Sequence, residues 1–103
     1  MKTLSLVLSV AIFASSAQAG GLMRDERGNH VRTYDTPCTT KAGVFAELPD
    51  VLRPKFKAAE VLWDGKKYDA CWTDLDPANV YVIDEAGDAG AIPRVRLVPE
   101  VGA

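Results

Sequence analysis

The sequence predicts an α+β domain: an antiparallel β-meander of three to five strands, preceded by short helices and stapled by one disulfide. Three observations carry this. "AAEVLWDGKKYDACWT" (58–73) sets Asp64-Gly65 between two runs of period-two alternation, the pattern of a tight β-hairpin. The stretch 39–56 instead places apolar residues at helical spacing and interrupts them with prolines. Only two cysteines occur, Cys38 and Cys71, 33 positions apart.

Each element follows in order. Residues 1–19 have the layout of an export leader. Lys2 supplies a positive start, Leu4 to Phe13 an apolar stretch, and Ala17 and Ala19 the small-residue cleavage pattern. The stretch is shorter than the roughly twenty apolar residues of a spanning helix. Residues 20–103 then form a single small domain, with 20–36 read as a flexible arm because "DERGN" is turn-like. Val31, Thr33 and Tyr34 offer one short strand there. Thr39 or Thr40 caps a short helix running through Glu47, and Val51, Leu52 and Phe56 indicate a second one, broken at Pro54.

In the hairpin, a two-residue turn pairs Trp63 with Lys66, Val61 with Tyr68 and Ala59 with Ala70. One face then carries Ala59, Val61, Trp63, Tyr68, Ala70 and Trp72. The other carries Glu60, Leu62, Asp64, Lys67, Asp69, Cys71 and Thr73. "NVYVIDE" reads as a third strand with apolar residues on both faces. "AIPRVRLV" reads as a fourth, with Pro93 suited to an edge.

Cleavage after residue 19 leaves 84 of the 103 residues, enough for one domain. Without Lys2, 11 basic residues face 14 acidic ones, a net charge near −3. That excludes the basic stripe of a nucleic-acid binder. No later segment is apolar enough to span a membrane. In an oxidising compartment the two cysteines are most simply a disulfide.

Chemistry is sparsely represented. Cys71-Trp72 resembles the Cys-Trp pair around a papain-type nucleophile, but the preceding residues are Tyr68, Asp69 and Ala70, and the single histidine, His30, lies upstream. Trp72 is therefore expected in the core beside the bridge. His30 has no histidine or cysteine cluster around it, so it reads as an exposed strand or loop residue. Every serine falls within the leader, which removes serine catalysis. From Tyr68 to Pro93 there are six acids and no Lys or Arg. Asp74, Asp76, Asp84, Glu85 and Asp88 are the candidate binding residues, an acidic edge for a basic partner or for Ca²⁺. "DEAGDAG" lacks the ligand spacing of an EF-hand loop. Solvated turns explain the same residues without any partner, and a paired-carboxylate hydrolase is the enzymatic alternative.

"GDAGAIPRVRLV" resembles the late part of an SH3-type barrel, where G-x-x-G-x-[IF]-P precedes a short turn and a final strand. Gly87, Gly90, Ile92 and Pro93 match. The resemblance implies a small SH3-like barrel and, in exported bacterial proteins, binding to cell-wall peptide. The run from "AEVLWDGKKYDACW" to "GDAGAIP" is also similar to small exported proteins of proteobacteria and their phages, a resemblance that implies no activity. The expectation is a periplasmic or secreted, non-enzymatic binding or accessory protein of the envelope, with no cofactor. Its partner is an envelope protein or a cell-wall component, not nucleic acid. The alternative is an inhibitor of a basic envelope-active enzyme such as a lysozyme.

Overall fold

The computed structural model describes residues 20–100; the leader expected over 1–19 lies outside them. The strands are β1 (Gly21–Arg24), β2 (His30–Pro37), β3 (Lys57–Trp63), β4 (Lys66–Asp76), β5 (Asn79–Asp84), β6 (Ala89–Pro93) and β7 (Val98–Pro99). They form one seven-stranded antiparallel sheet in the order β6-β5-β4-β3-β2-β1-β7. The sheet curls into a half-barrel, open between β6 and β7.

The fold is therefore mainly β, and the α+β expectation is corrected. The described residues contain no α-helix; the two expected helices are single 3₁₀ turns at Gly43–Glu47 and Arg53–Lys55. The physical reason is length. Gly43 sits at φ +52° and Pro49 cuts the chain off six residues later, so too few residues remain to repay helix nucleation. Pro54 restricts the second turn in the same way. The segment 20–36, expected as an arm, carries β1 and most of β2. The expected fourth strand is β6, a 3₁₀ turn at Arg94–Arg96 and the two-residue β7.

The β3–β4 hairpin has the register read from its turn: Trp63 opposite Lys66, Val61 opposite Tyr68, Ala59 opposite Ala70. Asp64 and Gly65 both take positive φ, 51° and 76°, as a type I′ turn requires. The neighbouring β1–β2 turn is tied to it through buried Asn29. Its side-chain Nδ2 donates to Asp25 Oδ2 at 2.9 Å, and its Oδ1 accepts the Asp64 N–H at 2.9 Å.

Apolar burial occurs on both faces of the sheet. On the concave face Ala59, Ala70, Val80, Val82 and Ile92 form one cluster, with Val31, Val61, Trp72 and Leu97 packed against it. On the convex face Cys38, Phe45 and Cys71 form a second, flanked by Leu48, Phe56 and Ile83. The loop 38–56 roofs that second core. The Cys38–Cys71 disulfide pins the roof to β4, with Cα atoms 5.7 Å apart and Cys71 wholly buried. A further anchor is backbone contact at Gly43, where an added Cβ would stand 2.0 Å from the Glu85 carbonyl oxygen, while the Val44 N–H donates to that oxygen at 2.9 Å. Arg53 holds the loop from below, donating from Nη1 to Thr40 O (2.8 Å) and from Nη2 to Phe45 O (2.6 Å).

Candidate functional site

The five candidate acids do not gather into one edge. Asp74 and Asp76 lie at the β4–β5 turn, whereas Asp84, Glu85 and Asp88 lie at the β5–β6 turn. The length of β5 separates the groups, about 16–20 Å for six extended residues. Most of these acids organise backbone. Asp76 Oδ1 accepts the amides of Ala78 and Asn79, each at 2.8 Å. These bonds, the Ala78 amide foremost, hold its carboxyl below the usual aspartate range. Asp84 is buried, and its Oδ1 accepts the amides of Ala86 (2.9 Å) and Asp88 (3.1 Å). Glu85 Oε2 accepts the Asp69 N–H at 3.3 Å. Asp74 pairs with Arg94. Asp84 and Asp88 both line a shallow hollow of about 190 Å³ beside β6. Among the described residues no group of three His, Cys, Asp or Glu side chains is placed to hold a metal ion.

His30 opens β2 on the convex face, its Nε2 2.9 Å from Glu60 Oε2. Arg32, two residues on, holds Glu100 in a two-pronged contact at 2.8 and 3.2 Å. That contact ties the end of β7 to β2 and raises the guanidinium pKa above its ordinary value.

The concave site is built at the far end of β2. Pairing of β2 with β3 is regular up to Thr33–Ala59, then shifts before Pro37–Lys57. The irregularity takes the Tyr34 carbonyl out of the ladder, and the Trp72 indole N–H donates to it at 2.8 Å. A largely buried indole needs such an acceptor. Trp72 is thus held on the concave face, whereas the bridge lies on the convex one, which corrects its expected place beside the disulfide. Lys57, its cross-strand neighbour, stands with Nζ 5.3 Å from the indole centroid and 2.7 Å from Asp35 Oδ1, so one ammonium serves both a cation–π contact and an ion pair.

Two hollows meet at Asp35. One of about 370 Å³ lies at the open side of the half-barrel, walled by Tyr34, Trp72, Val80, Leu97 and Arg94. The other, about 610 Å³, runs between the end of β2 and the loop, with Pro37, Phe56, Lys41, Arg53 and Lys57 in its walls. Taken together they form a groove with aromatic and aliphatic walls, the Asp35 carboxylate where they meet, Asp50 in the wall of the second, and cations in both. Arg94 is fixed at one end, donating from Nε to Pro77 O (3.1 Å) and from Nη2 to Asp74 and to Asp76 O.

The acids were conspicuous in sequence as a run without bases, but the groove residues were not. Tyr34 and Asp35 fall in the stretch read as an arm, and their meeting with Trp72 depends on a strand irregularity with no local signature. Comparisons with family models, with characterised proteins and with solved structures return no match for this chain.

Proposed function

We propose that the protein is an exported, non-enzymatic binding module of the cell envelope, and that its ligand is a short cell-wall peptide lying in the groove at Asp35. The observation that carries the reading is the open aromatic-walled groove itself. Apolar walls with a few convergent polar groups are the usual composition of a ligand site. A stem peptide carries both amine and carboxylate groups, which match the carboxylates of Asp35 and Asp50 and the cations of Lys41, Arg53 and Lys57 in the groove wall. The disulfide supports export, since such bonds persist in oxidising compartments. The inhibitor reading draws less support, because the acids stand in two groups and most serve turns.

The test is a titration of isotope-labelled protein with cell-wall stem peptides bearing a free amine and a free carboxylate. Amide shifts centred on Tyr34, Asp35 and Lys57, with quenching of Trp72 emission in a Trp63→Phe background, are expected. Lys57→Glu should weaken binding several-fold through loss of a positive contact beside the indole. Shifts confined to the β5–β6 turn, or none at millimolar peptide, would remove the groove from consideration.

A further inference from the structure

The sheet ends at β6 on one side and at β7 on the other. The latter is two residues long and contains Pro99, so among the described residues β6 alone offers an edge on which another strand can pair. Its polarity is fixed by two bonds at its ends. The Asp84 N–H donates to Asp88 O at 2.9 Å and the Arg94 N–H to Ala78 O at 2.8 Å. In an antiparallel ladder the direction of the backbone groups alternates. Asp88, Gly90, Ile92 and Arg94 therefore turn N–H and C=O toward β5, and Ala89, Ala91 and Pro93 turn theirs away. Ala89, Ala91 and Pro93 are all exposed, and among the described residues no strand pairs with that side.

We propose that β6 is the edge of a weak homodimer, in which two copies of the strand run antiparallel about a two-fold axis at Ala91. In that register Ala91 faces the partner's Ala91, and Ala89 faces the partner's Pro93. The Ala91 N–H donates to the carbonyl of the partner's Ala91, and the Ala89 N–H to the carbonyl of the partner's Pro93, each twice by symmetry. Proline at position 93 supplies an acceptor and leaves no donor unpaired. On the concave side Ile92 falls opposite the partner's Gly90, where an added Cβ would meet nothing within 4 Å.

The ends of the strand select this occupant and this register. Asp88 comes opposite the partner's Arg94, and Arg94 opposite the partner's Asp88. Among the described residues the Asp88 carboxylate makes no hydrogen bond, and the bonds that fix Arg94 use Nε and Nη2, leaving Nη1 open. Pairing centred on Gly90 would place Asp88 against Ile92 and lose both ion pairs. A five-residue edge buries too little surface for a tight complex, and a closed two-fold contact stops at two copies.

Sedimentation equilibrium of the disulfide-intact protein from about 5 µM to 1 mM tests this, a range that brackets weak association. A concentration-dependent dimer is expected. Ala91→Pro, which deletes the outward N–H, and Asp88→Lys, which sets like charges face to face, should each raise Kd roughly tenfold or more. Amide exchange at Ala89 and Ala91 should slow with concentration, while Gly90 and Ile92 stay unchanged. A monomer throughout the range overturns the proposal. So does a dimer indifferent to Asp88→Lys, or protection of Ala89 and Ala91 only when an extended peptide is added.

Discussion

Cys71 and Trp72 are neighbours on β4 that point to opposite faces of the sheet, one into the bridged core beneath the loop and the other into the wall of the groove. Strand alternation alone separates them. The disulfide therefore sets the roof of the convex face without touching the indole, and the two can be perturbed separately.

Replacing both cysteines by serine should lower stability by about 3–4 kcal/mol, the chain-entropy cost of opening a loop of this length. Denaturant titration of the double variant measures it. A loss below about 1 kcal/mol would mean that the roof is held chiefly by Gly43, Arg53 and Phe45.

Gly43→Ala should be more damaging than Gly28→Ala. Both residues have positive φ, and both variants incur backbone strain of about 1–3 kcal/mol. Only at Gly43 does the new methyl meet the Glu85 carbonyl, at 2.0 Å, while at Gly28 it meets nothing within 4 Å. Equal melting temperatures for the two variants would show that the loop shifts freely on the sheet.

Gly65→Val should cost about 1–3 kcal/mol, because a β-branched residue resists positive φ. Asp64→Asn at the preceding turn position should be close to neutral, since Asn tolerates the left-handed region. Thermal melts of the pair report whether the turn governs the register of β3 and β4.

Asp84 and Asp88 are four residues apart and should behave differently. Asp84→Ala removes the acceptor for two turn amides and should cost about 1–3 kcal/mol. Asp88→Asn, exposed and without a side-chain hydrogen bond among the described residues, should fall within about 0.5 kcal/mol of the parent.

Acid should weaken the fold through Asp25 and Asp76. The Asn29 side chain foremost holds Asp25, and the Ala78 amide foremost holds Asp76, below the ordinary value of 3.8. A depressed folded pKa gives stability that is complete above the unfolded value and lost as pH falls through the folded one. The loss should begin near pH 3.8 and deepen below it. Asp25→Asn with Asp76→Asn should flatten that part of the pH–stability curve while leaving its neutral part nearly parallel to the parent. An unchanged acid slope would place the titrating groups elsewhere.

What was legible in the sequence was local or arithmetical. Asp64-Gly65 announces its turn because two adjacent positive φ angles demand those residues, and the cysteine pair needs only counting. The helices failed because apolar spacing says nothing of how few residues Gly43 and Pro49 leave between them. The convex core was foreshadowed by "NVYVIDE", with apolar residues on both faces, but the cover for that second face comes from the loop 38–56, which ends 23 residues before Asn79. Asp84 looked like its exposed neighbours because burial at a strand end is decided by the sheet's curl, a property of all seven strands.

Burial on both faces of the sheet also ranks the strands by persistence. Among the described residues β4 alone places adjacent residues, Ala70 and Cys71, at 2 % and 0 % exposure in different cores. Opening either core alone leaves the other still packed on β4, so its central amides exchange with solvent only when the whole chain unfolds. The amides of β7 and the free side of β6 open in shorter excursions. The molecule therefore frays from its seam inward, and the residues that last longest in the folded state are the two in the middle of "YDACWT".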